Sequence, residues 1–257
     1  MSITFYFLQN CFILLCGYIG LNKILEKTSE KYILLTHTRK LYVLKNLIKS
    51  LILCYLTVCK YHVFGIIFTK NWHNETIYKY ASNYIANDFL GLLLNKNLPK
   101  NTQYHHITSV ILYIYLINQD FNNNIIARLI FVYGTFSSIS FIVNFYLGIR
   151  LITADNVIYD NEKILNNIRQ AAYYIYNVGC MMNLLSHVYL IYFEGLSIQL
   201  FVYLCALIPI INDDIILIHW LKKKYVKKIK NRICLGCHNN SINDGKHNSD
   251  CMLFSLN

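Results

Sequence analysis

Three side chains that can move a proton stand where two neighbouring segments would bring them to one level: Asp88, His105 and His106. A carboxylate beside an imidazole can orient it as a general base, and the same residue types can hold a metal ion. All three fall in apolar stretches, where an ionisable group is costly and marks a functional site by default. Other polar residues also interrupt apolar runs: Ser138 and Asn144, then Asn212, Asp213 and Asp214, and His187 with Glu194 beyond it. Lys60, His62, Arg128 and His219 stand nearer the ends of their runs, where long or amphipathic side chains reach an aqueous interface. The string Cys234-Leu235-Gly236-Cys237-His238 has the C-x-x-C-H spacing of haem attachment, with His247 and Cys251 further on. It lies in a tail read as cytoplasmic and has no second ligand pair at zinc spacing, so it is read as chance, with lipidation of Cys234 or Cys237 as the alternative. No metal or cofactor is assigned.

What must position these residues is a set of membrane helices. Hydrophobic residues make up 55% of the 257-residue chain and charged ones 14%, too few to cover a soluble domain of this size. The abundance of aromatic and β-branched residues excludes disorder. Most of the nine cysteines lie inside apolar runs (Cys11, Cys16, Cys54, Cys59, Cys180, Cys205), which argues against a disulfide framework. A spanning helix needs about 20 apolar residues. Seven stretches qualify, at 3–21, 47–69, 77–95, 99–119, 125–149, 171–193 and 196–220. The first lacks a basic leader and a small-residue cleavage site, so it reads as a retained helix. The fold class expected is an all-α polytopic transmembrane bundle.

The net charge of +11 would suggest nucleic acid in a soluble protein. Here most of the basic residues fall in the 22–46 loop with Lys49, the 96–104 turn, the 150–170 loop and the tail after Trp220. Seven spans put all of these on one face, which the positive-inside rule makes cytoplasmic. The amino end is then lumenal and the carboxyl end cytoplasmic. The sequon Asn74-Glu75-Thr76 falls on the lumenal side, and the sequon at Asn239 falls in the cytoplasmic tail.

Spans three and four form a tight hairpin, because the first fades near Asn95 and Pro99 suits an opening helical turn. Asp88 precedes Asn95 by seven residues and His106 follows Pro99 by seven, so both sit about 10 Å in from the same side. The bland alternative is an Asp–His hydrogen bond that merely ties two helices together.

The run Tyr104-His105-His106-Ile107-Thr108, opening a span just after Asn87-Asp88-Phe89-Leu90, resembles the TLC-domain family. Phe136-Ser137-Ser138 with Asn144 is similar to that family's Ser/Thr-rich helix, and Asn212 to Trp220 with the following lysines to its last helix and basic tail. The resemblance covers about residues 35–230. It implies a multi-helix protein of the endoplasmic reticulum, with residues 1–34 as a first helix and basic loop, 35–231 as the TLC-like domain and 232–257 as a polar tail. It further implies catalytic or ligand-contacting roles for Asp88, His105 and His106, with Ser138, Asn144, Asn212 and Asp213 as lipid-pocket candidates. In the family's ceramide synthases the next helix adds a His-Asp pair and further acids. The matching helix here reads Thr135-Phe136-Ser137-Ser138-Ile139-Ser140, with neither. The chain therefore resembles the other branches, implicated in phospholipid composition, membrane fluidity or protein export. Three functions are expected: binding or sensing of membrane lipid, acyl transfer from acyl-CoA with a histidine base, or a non-catalytic scaffold or cargo receptor. The partners implied are membrane lipids and their acyl chains or acyl-CoA, not nucleic acid.

Overall fold

The computed structural model describes residues 3–95, 98–153, 160–194 and 197–235, without the side chains of 160–162, 194 and 223–235. Among them there are helices and no strands. The order is α1 (Ile3–Thr28), α2 (Glu30–Ile33), α3 (His37–Val58), α4 (His62–Thr69), α5 (Asn74–Leu94), α6 (Lys100–Leu116), α7 (Ile125–Ser137), α8 (Phe141–Ile149), α9 (Asp160–Glu194) and α10 (Ile198–Leu235). Four segments are long and apolar enough to cross a bilayer: α1, α3, Ile125–Ile149 and Ile198–Lys222. The other expected spans are also helical, as α5, α6 and α9. At 17 residues α6 is shorter than the usual span of about 20, and α5 and α9 carry polar residues along much of their length.

The largest departure from expectation lies at 47–69. The helix begins ten residues earlier, at His37, and stops at Val58; a turn then leads into the separate short helix α4. The lysines before residue 50 look like loop charges, but Lys45 and Lys49 are one helical turn apart and both turn inward, so the basic stretch continues the helix. α4 ends at Lys70, whose left-handed φ of 57° is uncommon for a residue with a Cβ. Its ammonium sits 4.5 Å from the centre of the Phe193 ring, a cation–π contact that anchors the turn.

Between α7 and α8 the helix tightens to a 3₁₀ turn at Ser138–Ser140. The Ser138 hydroxyl donates to the Thr135 carbonyl at 2.7 Å and the Ser140 hydroxyl to Ser137 at 2.7 Å. Such back-bonding competes with the α-helical ladder. α3 packs most extensively on α8. Gly148 permits the close approach, since a Cβ there would lie 2.7 Å from Leu47 Cγ and Cδ2. α1 packs against α5 and α3, sharing Leu14 and Tyr18 with Leu44, Ala86 and Leu90 in one apolar cluster.

Large apolar side chains also cover the outside. Phe12 is 68% exposed on α1, Leu184 61% on α9 and Phe201 63% on α10. Apolar surface on several helices at once suits a hydrocarbon surround. Among the described residues six cysteines are free thiols.

Candidate functional site

α3 carries Tyr42, Lys45, Asn46 and Lys49 at helical spacing, so one stripe faces α5 and α6. Lys49 donates to Asp88 Oδ1 at 2.5 Å, and Lys45 lies 2.8 Å from His106 Nε2. Asp88 is wholly buried, His106 is 4% exposed, and both lysines are buried as well. Gly91 makes room for Lys45: a Cβ there would stand 2.7 Å from Lys45 Cε. The lysine ammonium can only donate, so His106 Nε2 accepts and its ring proton sits on Nδ1. Nδ1 lies 3.3 Å from Asp88 Oδ2. The neutral ring and the carboxylate are in polar contact there, but the alignment leaves both atoms without a hydrogen bond.

His105 takes a different partner. Its Nδ1 lies 3.4 Å from Asp213 Oδ2 in α10, and Thr102 donates to Asp213 Oδ1 at 3.3 Å. As at His106, the alignment leaves His105 Nδ1 without a hydrogen bond. The neighbouring Asp214 turns toward α7 and α9, where it accepts from the hydroxyls of Tyr133 and Tyr176, the latter at 2.6 Å. The adjacent aspartates of α10 thus bind α6 on one side and α7 with α9 on the other.

These groups surround a cavity of about 110 Å³, room for several waters or part of a larger polar group. Both histidines, both lysines and both aspartates of α10 line it, and so does Asn144. Asn144 donates to the Ser140 carbonyl at 3.2 Å. Ser138 is buried elsewhere, hydroxyl to hydroxyl with Thr57 at 3.0 Å, and its neighbours Ser137 and Ser140 line the cavity instead. Asn212 is exposed on the far face of α10.

The remaining candidates stand apart. His187 pairs with the Tyr203 hydroxyl at 2.9 Å, and His219 is exposed. Arg128 donates to the Phe121 carbonyl at 2.6 Å, which fixes the 117–124 loop. Asn74 of the first sequon donates to Asp120 at 2.9 Å and accepts from the Phe121 amide, so the glycan-acceptor amide is tied into that same loop. The Asn239 sequon and the side chains of Glu194, Cys234, Cys237, His238, His247 and Cys251 lie outside the described residues.

One ligand atom each from Asp88, His105 and His106 lies within 4.8 Å of the others. The donor set still fits a metal poorly, because the Lys49 ammonium holds Asp88 and the Lys45 ammonium holds His106. A dication would add to two positive charges already in contact with its ligands. The arrangement suits proton and hydrogen-bond chemistry better.

Comparison with known proteins returns no match to any family model, curated protein or solved structure. Function must be argued from the site.

Sequence reasoning missed Lys45 and Lys49 by counting them as topology charges. Their four-residue spacing on a face shared with Tyr42 and Asn46 was the available signal. Asp88, His105 and His106 do lie together, within 4.8 Å, but the second partner of His105, Asp213, was not anticipated. The pairing between α6 and α10 has no trace in local spacing.

Proposed function

We propose that this is a seven-span membrane protein of TLC type, amino end lumenal and carboxyl end cytoplasmic, that binds membrane lipid and serves lipid homeostasis in the endoplasmic reticulum. The observation that carries the reading is a cavity lined with ionisable groups inside a bundle whose exterior is apolar. Cavities with a few convergent polar groups are where small molecules bind. Ammonium groups and carboxylates both line this one, which suits a headgroup offering donors and acceptors together, such as a zwitterionic phospholipid or an amino alcohol. His105 and His106, the paired histidines on which the TLC resemblance rests, line the cavity, and Asp88 stands behind them against Lys49.

Native mass spectrometry on protein purified in mild detergent tests the reading. The wild type is expected to carry a lipid that Asn144→Trp, which fills the cavity, fails to retain at equal thermal stability. Equal retention by both, or no lipid on either, contradicts it.

A second reading, acyl transfer, is favoured by one specific contact. Asp213 Oδ2 lies 3.4 Å from His105 Nδ1 on the cavity wall, close enough to orient the ring once the contact tightens around a substrate, whereas Lys45 caps the Nε2 of His106. His105 would take the proton of an acceptor amine as its nitrogen bonds to the thioester carbonyl carbon, and return it to the departing thiolate as the carbon–sulfur bond breaks. In cells without their own ceramide synthases, new ceramide that disappears in His105→Ala supports this reading. No ceramide at normal expression removes it.

A further inference from the structure

A second cavity opens at the other end of the bundle. It lies between the first turns of α1, the end of α3, α4 and the start of α5. Tyr80, on its wall, precedes Asp88 by eight residues, about 12 Å along α5. Its volume of about 390 Å³ exceeds that of the inner cavity. Side chains that can donate dominate the wall: Lys60 and Lys79, Tyr6 and Tyr55, and the amides of Asn10 and Asn83. Among the described residues no carboxylate lines it.

Charge compensation here is sparse. Lys79 bonds Glu75 at 2.6 Å, but that carboxylate side chain is 76% exposed and sits outside the lining. Lys60 meets only the Tyr55 ring, 5.7 Å from its centre, and no carboxylate among the described residues. Tyr80 contributes its ring to the wall, while its hydroxyl lies toward Thr135 and Ser138, which are not part of the lining. Beside this cavity α1 exposes Phe5 and Leu8, at 51% and 59%, surface for an aliphatic chain to follow.

We propose that this cavity binds the phosphate of an anionic amphiphile, held between Lys60 and Lys79 with the Tyr6 and Tyr55 hydroxyls donating to its oxygens. Phosphate supplies acceptors to several donors at once and a negative charge for Lys60, which meets no carboxylate among the described residues, and for Lys79, whose Glu75 partner is largely exposed. The volume exceeds what a bare ion fills, and the apolar flank of α1 accommodates a lipid tail. The proposal is independent of the inner cavity.

The test is titration of the purified full-length protein in neutral detergent with dihexanoyl phosphatidic acid, inorganic phosphate and dihexanoylglycerol. Phosphatidic acid is expected to bind, and Lys60→Gln/Lys79→Gln to weaken it at least about tenfold. His105→Ala/His106→Ala is expected to leave it unchanged. Inorganic phosphate binding as tightly would make the source a free phosphate, and much weaker binding a lipid headgroup; both sustain the phosphate site. Should the double lysine variant not fold, raising salt on the wild type must weaken binding. Equal binding of dihexanoylglycerol, indifference to both the lysines and salt, or loss in the histidine variant overturns the proposal.

Discussion

The two ends of the bundle use the same residue types to opposite effect. At the inner end Lys45, Lys49, Asp88, His106, His105 and Asp213 contact one another across α3, α5, α6 and α10, so each charge answers another. At the outer end Lys60 and Lys79 face a larger space with no carboxylate of the described residues on its wall. The inner groups are thus interlocked, while at the outer end Lys79 has only the exposed Glu75 and Lys60 meets no carboxylate among the described residues. Ionisable groups already paired with one another offer a ligand hydrogen bonds within a neutral wall, whereas a lysine without a carboxylate calls for a ligand that brings negative charge.

The sharpest way to break this contrast is Asp88→Asn, which strands the Lys49 ammonium in the interior. Breaking a buried pair costs about 3–5 kcal/mol. Heat stability in detergent should fall accordingly, and Asp88→Asn/Lys49→Met should recover much of it. Failure of the second change to help would mean that the pair is not what Asp88 supports. Gly91→Ala is expected to cost about 1–3 kcal/mol by forcing Lys45 off its position. The loss should shrink when Lys45→Met is added. At the outer end Lys60→Gln should shift stability by less than about 0.5 kcal/mol, the norm for a surface change. A loss as large as that of Asp88→Asn would show the outer cavity to be interlocked too.

The smallest effect concerns the loop that packs beside α5 at the outer end. The Asn74 side-chain amide, with the backbone and side-chain amides of Asn122, holds the Asp120 carboxyl below its ordinary range. A depressed carboxyl stabilises fully above its unfolded value of about 4, and that contribution disappears as pH falls through the lower folded value. Hydrogen exchange in residues 117–124 should therefore quicken below about pH 4. The added quickening should be absent in Asp120→Asn.

Much of the architecture was legible because it rests on local signals. Asn95 and Pro99 bracket the α5–α6 hairpin, and its register alone brings Asp88 beside His106. The apolar runs around Cys11, Ile130 and Leu207 mark helices by length and composition. Lys45 and Lys49 misled because the same side chains serve as loop charges or buried partners, and only the opposing Asp88 and Gly91 decide which. Asp213 and Asp214 were visible as buried acids, but their partners Thr102, His105, Tyr133 and Tyr176 come from three other helices. Tertiary pairing of that kind leaves no periodicity to read. Asn212 shows the converse: three consecutive polar residues on a helix cannot all face one cavity.

The central claim is that the inner cavity receives a lipid. The most direct measurement is photo-crosslinking in native membranes with a diazirine- and alkyne-bearing lipid, followed by mapping of the modified peptides. Labelling concentrated on α3, α6 and α10 around Tyr42, Thr102 and Leu217, and abolished by Asn144→Trp, is the predicted result. Labelling confined to the exposed apolar faces of α1 and α9, unchanged by Asn144→Trp, would contradict it.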